Sequence, residues 1–253
     1  MSADQYVELV LEKYAVARGP NLPAAQLLSA VAAPLRSWAS DDLNDLQYSG
    51  SYAKGTAVRG IADVDIFISL KSGTPQNLRD VYQSLFLFAQ KQGWSPRQQN
   101  VSIGITLGGV RADLVPGKVQ AGYQDYHSLY RRKADTWTQT NVSLHINRVR
   151  DSGRVREIRA LKIWRFLRKI DFPSLYLELF TIAGLSGRSR QSPADNILYA
   201  LETIATSLTS TRVEDPANSN NVLSDELSQA DKKQIAGMAR QSLQEQCWEK
   251  IIW

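Results

Sequence analysis

Residues 48–70 read Tyr-Ser-Gly-Ser-Tyr-Ala-Lys-Gly-Thr-Ala-Val-Arg-Gly-Ile-Ala-Asp-Val-Asp-Ile-Phe-Ile-Ser-Leu. Asp63 and Asp65 stand one residue apart where an apolar, β-branched run begins, and that run reads as a largely buried strand. In an extended chain residues i and i+2 project from one face, so the two carboxylates lie side by side. Such a pair repels unless one carboxyl holds a proton or a cation sits between them. A hard divalent ion, completed by substrate phosphates, is the simplest candidate. Just upstream, Gly50, Gly55 and Gly60 permit close backbone approach, while Ser51 and Thr56 offer hydroxyls and N–H groups to phosphate oxygens. The implied chemistry is metal-assisted handling of a triphosphate.

The elements that must position these groups can be read from periodicity. Residues 3–39 read as two helices: Tyr6, Val7, Val10, Leu11 and Tyr14 repeat at helical spacing, Gly19-Pro20 interrupts, and residues 24–38 resume, with Pro34 a point of kinking or early termination. A short strand should end near Tyr48. A helix should start at Thr74-Pro75 and end at Gly93. Residues 100–107 and 110–115 read as strands joined at Gly108-Gly109. Asp113 is the lone acid on the second of these, which should neighbour the Asp63/Asp65 strand. Residues 123–140 interleave Tyr126, Tyr130 and Trp137 with Arg131, Arg132 and Lys133, a mixture suited to stacking bases and meeting phosphates, or to an amphipathic strand or loop.

Residues 148–169 read as one basic helix, with nine cations against Asp151 and Glu157. Residues 173–185 form a strongly apolar helix, residues 193–208 another, and residues 224–248 a last one before the apolar Ile251-Ile252-Trp253. The Asp-Pro and Asn-rich residues 213–222 read as a turn.

The chain has 253 residues, a net charge of +5 and a single cysteine, Cys247. That length suits one larger or two small domains. One cysteine excludes an intramolecular disulfide and a cysteine-built zinc site, which fits a reducing cytoplasm. No early segment reads as a signal peptide and no run reaches the ~20 apolar residues of a membrane span. The expectation is a cytoplasmic protein without a membrane partner.

Gly-Ser, then Gly-Thr, then Asp-x-Asp at a strand start resembles the signature of the DNA polymerase β-like nucleotidyltransferase superfamily. Arg159-Ala-Leu-Lys162-Ile-Trp164 and the 213–222 string resemble elements of the oligoadenylate-synthetase-like and bacterial CD-NTase-type second-messenger enzymes. The resemblance implies an α+β fold: a nucleotidyltransferase palm of mixed sheet and helices over 1–145, a helical C-terminal lobe over 146–253, and an active-site cleft between them. It implies that Asp113 is the third carboxylate, that Asp63, Asp65 and Asp113 bind two Mg²⁺ or Mn²⁺ ions, and that Lys162 contacts the triphosphate. Arg159 and Ser174 are further nucleotide-binding candidates. Thr140-Asn141 and His145 are similar to a palm-to-helical-lobe junction element, with His145 read as structural.

The reaction implied joins an NTP or dNTP to a hydroxyl with release of pyrophosphate and without a template, giving short cyclic or linear oligonucleotides. By fold-level analogy the setting is antiviral signalling through a separate effector protein. A defence polymerase making single-stranded DNA fits the same residues. The alternatives are an RNA-terminal, CCA-adding-like enzyme using the basic 148–169 helix as its RNA platform, a catalytically dead nucleotide or RNA scaffold, and adenylylation of a protein hydroxyl.

Overall fold

In a computed structural model, the described residues are 1–16 and 23–253. The Gly19-Pro20 break lies outside them. The chain divides into two compact units. One comprises Ala17–Lys54 and Ala62–Ile146, the other Met1–Val16, Gly55–Ile61 and Asn147–Trp253. These are not the consecutive stretches 1–145 and 146–253 read from sequence.

The helical unit begins with α1 (Ala3–Lys13). Ser2 caps this helix with its side chain on the Gln5 N–H, and the Gln5 side chain returns the bond to the Ser2 backbone, which satisfies donors the helix itself cannot. Val7, Val10 and Leu11 on its inner face join the unit's apolar cluster, and that burial places the N-terminal helix with the C-terminal elements.

The sheet unit contains α2 (Pro23–Ala39), which continues through Pro34; β1 (Leu43–Tyr48); α3 (Gly50–Lys54); β2 (Val64–Leu70); and α4 (Leu78–Lys91). It continues with β3 (Arg97–Gln98), β4 (Ile103–Leu107), β5 (Val110–Gln120), β6 (Tyr123–Arg131) and β7 (Thr136–Thr140). Asn77 caps α4, so that helix starts a turn after Thr74-Pro75. The sheet order is β1-β2-β5-β4-β3, with β6 on β5 and β7 on β6. Only β2 and β5 run parallel; the other pairs are antiparallel.

Strand β2 shows why the sheet forms where it does. Val64, Ile66, Ile68 and Leu70 are buried on one face with Val31 and Leu35 of α2 and Val81, Tyr82 and Leu85 of α4. The period of two then turns Asp65, Phe67 and Ser69 to the opposite face.

Helix α5 (Val142–Arg150) carries the chain out of the sheet unit. The helical unit continues with α6 (Val155–Leu167), α7 (Ser174–Gly184), α8 (Pro193–Ser207), a small hairpin of β8 (Glu214–Asp215) and β9 (Asn218–Val222), and α9 (Gln229–Leu243). The single basic helix expected over 148–169 is thus two helices, separated at Gly153, whose φ of +67° lies where only glycine is unstrained. Ile251 and Ile252 are buried in the same apolar cluster, so the tail packs within its own unit.

Candidate active site

Asp65 and Asp113 are register partners on the parallel strands β2 and β5. Their side chains therefore emerge next to one another from the same face. The Asp65 carboxyl is raised to about 6, first by burial and then by the Asp113 charge, with the nearby Lys54 and the Ser51 N–H pulling the other way. Asp113 is raised by burial and by Asp63. The acids thus act on one another's charge, as the Asp-x-Asp spacing and the third strand acid imply.

Glycine is required at position 50. A Cβ there would lie 1.8 Å from Asp65 Oδ2, and the residue sits at φ +55°. The backbone is tied to the same aspartate, because Ser49 N–H donates to Asp65 O at 2.9 Å and the Ser51 N–H donates to the carboxylate. The expected small-residue loop is therefore, in part, the one-turn helix α3. It lies against the acid it serves, so Gly50, Ser51, Asp63, Asp65 and Asp113 are all brought together in the sheet unit.

Three neighbours of this cluster were not singled out from sequence. Gln99 Nε2 donates to Asp113 Oδ1 at 2.7 Å. Arg111 Nε approaches Asp63 Oδ1 to 2.8 Å, yet that buried oxygen takes no aligned hydrogen bond. Lys54 is only 7% exposed and lines a cavity of about 150 Å³ with Gly50, Thr140 and His145. Arg111 carried a signal, since it stands two residues before Asp113 and so shares its strand face. Gln99 and Lys54 carried none.

A buried Asp65 beside the Asp113 charge, with Asp63 close to both, fits a divalent cation. Among the described residues no three His, Cys, Asp or Glu side chains close into a cage of their own. Reliance on substrate oxygens for the remaining positions is the habit of Mg²⁺ sites.

Other expected nucleotide ligands are placed differently. Lys162 is 3% exposed, and its ammonium donates to Glu178 Oε1 at 2.6 Å and Thr56 Oγ1 at 2.9 Å. Thr56 in turn donates to the same Glu178 oxygen at 2.9 Å. Both residues are buried in a closed polar network of the helical unit rather than presented to a triphosphate. The physical reason is Glu178: a buried carboxylate requires a cation and donors, and Lys162 and Thr56 supply them. Arg159 donates to Leu11 O at 2.7 Å, and Ser174 Oγ accepts from Arg165 at 3.1 Å.

From Arg154 to Arg168 every cation of the basic stretch has an internal partner. Arg154 meets Glu157 and Leu185 O, Arg156 meets Glu8, Arg165 meets Phe172 O, and Arg168 meets Lys250 O. The Asn-rich string is a built turn: Asp215 accepts from the Ala217 N–H and the Asn221 amide. Asn141 Oδ1 accepts the Leu144 N–H at the start of α5, which makes the Thr140-Asn141 element a helix cap.

Residues 40–117 match the family model described as nucleotidyltransferase domain, and that segment contains Gly50, Ser51 and all three aspartates. Residues 40–117 thus resemble a nucleotidyltransferase domain, and the described residues form an α+β fold of mixed sheet and helices. Its fold is similar to those of solved CD-NTase structures. It is 25% identical over 202 residues to the cyclic AMP-AMP-AMP synthase of Escherichia coli (strain MS 115-1), a match covering 70% of this chain and 63% of that protein. The structure of CdnC from E. coli MS115-1 with ATP superposes with a TM-score of 0.76 at 19% identity, covering 98% of this chain and 96% of that one. The CdnE cyclic dinucleotide synthase of Elizabethkingia meningoseptica, solved with GTP and Apcpp, gives 0.72 at 14% identity, covering 97% of this chain and all of that one.

Proposed function

We propose that the protein joins the α-phosphate of an NTP or dNTP to a nucleotide hydroxyl, without a template, to make short cyclic or linear oligonucleotides with release of pyrophosphate. The observation that carries this reading is the in-register pairing of Asp65 with Asp113 beside the Gly50–Ser51 backbone. A relative named for cyclic AMP-AMP-AMP synthesis supports it. Asp63, Asp65 and Asp113 would hold two Mg²⁺ or Mn²⁺ ions. Such ions, when bound, stabilise charge on the attacking and leaving oxygens. Asp113 would also accept the proton of the attacking hydroxyl, as a general base within reach of the bound substrate. The Ser51 N–H is engaged by Asp65, so its hydroxyl is the group offered to phosphate.

The product is a signal for a separate effector protein in antiviral defence. The test incubates purified full chain with each NTP and dNTP and Mg²⁺ or Mn²⁺, follows pyrophosphate, and identifies products by mass spectrometry. Metal-dependent pyrophosphate release with di- or oligonucleotide products is expected. No release with any nucleotide overturns the reading, and incorporation only when RNA is added replaces it with an RNA-terminal transferase.

A further inference from the structure

Within the sheet unit, two of the most exposed large side chains sit on one hairpin: Tyr123 is 66% and Trp137 56% exposed. Strand register explains how they are displayed. Tyr130 of β6 pairs with Trp137 of β7, so the two rings share a face, and Tyr126 shares it at a remove of four residues, about 13 Å along the strand. Tyr130 is half-buried and fixed by two contacts. Its ring meets Tyr82 edge-on at 5.6 Å and its hydroxyl bonds Asp135 at 2.6 Å. Tyr123 and Tyr126 form a second edge-to-face pair at 6.4 Å. Asp135 is also paired with Arg79, which leaves Arg131 and Lys133 at the hairpin end as exposed cations without an ion pair among the described residues.

The exposed rings of Tyr123 and Trp137, with the half-buried Tyr126 beside them and cations at the hairpin end, match unpaired bases and their phosphates: every base has a π-face, and the cations supply counter-charge. A duplex hides its base faces. The basic stretch from Arg154 to Arg168 offers no comparable surface, since its cations are bonded internally. We propose that the β6–β7 hairpin is a platform for single-stranded nucleic acid, with Trp137 and Tyr126 stacking bases and Arg131 and Lys133 meeting phosphates. This does not depend on what the aspartate site synthesises.

The test uses the full chain and fluorescently labelled 12-nucleotide single-stranded RNA and DNA of one mixed sequence, with the duplex of that sequence as control, read by anisotropy across a salt series. Single strands are expected to bind more tightly than the duplex. Trp137→Ala should weaken binding about ten-fold, the loss of one stacked base, with the salt dependence unchanged, while Trp137→Phe should restore most of it. Arg131→Ala with Lys133→Ala should instead flatten the salt dependence. Circular dichroism and thermal unfolding establish that each variant is folded. The RNA and DNA arms decide which strand is preferred. Duplex binding as tight as single-strand binding, no binding at low salt, or unchanged affinity in folded Trp137→Ala and Trp137→Ala/Tyr126→Ala variants overturns the proposal.

Discussion

Two regions of this protein concentrate charge that the sequence marks for phosphate chemistry, and folding treats that charge differently in each. On β2 and β5 the carboxylates are held together with only partial compensation: Asp65 faces Asp113 and is raised to about 6 despite Lys54 and the Ser51 N–H, while Arg111 stands beside Asp63. On α6 the cations are compensated at every step, with Lys162 closed onto Glu178 and Thr56. Like charges held close leave a site that a cation can complete, whereas a buried ion pair with satisfied hydrogen bonds is already complete. Charge density alone therefore does not distinguish the two regions; how far each charge is balanced does.

The contrast is sharpest under substitution. Asp65→Ala and Asp113→Ala should each lower nucleotide incorporation by at least ~1000-fold in folded protein, because they remove charge aimed at the reacting phosphate; activity near wild type in either variant would remove the site. Lys162→Met should instead cost about 3–5 kcal/mol of stability by leaving Glu178 buried and unpaired, with much of that recovered in Lys162→Met/Glu178→Leu. Denaturant unfolding reads both. If Lys162→Met left stability unchanged while weakening nucleotide binding, the two regions would not differ as described.

A finer distinction comes from pH. The Asp65 carboxyl stands at about 6 in the folded protein against an ordinary 3.8. A raised carboxyl contributes stability that is present below about pH 4 and lost as pH climbs through 6. In metal-free buffer Asp65→Asn should therefore stabilise the protein at pH 7 by up to about 3 kcal/mol, and the gap to wild type should close as pH falls to 4. Thermal unfolding across that range checks it. Smallest of all, Arg156→Ala breaks an ion pair with Glu8 whose side chains are 46% and 42% exposed, and should change stability by less than about 1 kcal/mol.

Local chemistry made part of this legible in advance. The period-two burial of β2, the Asp-x-Asp face and the glycine demanded at position 50 each follow from residues close in sequence, so their order was enough. The composition of residues 123–140 suits base stacking or an amphipathic strand alike, because the partner strands of β6 and β7 decide which rings turn outward. The break between α5 and α6 falls on Asp151-Ser152-Gly153, a turn composition short enough to be overlooked between two basic, apolar stretches.

The amino-acid order by itself determined which strand would be buried, which carboxylates would share its face, and which backbone would have to pass close to them. These are properties of neighbours along an extended chain. Tertiary structure alone decided that Asp113 would stand opposite Asp65, that Gln99 would bind it, and that Lys162 would be used up by Glu178. Each of these depends on a partner brought from far along the chain, and a side chain's charge does not say whether folding will leave it exposed or neutralise it.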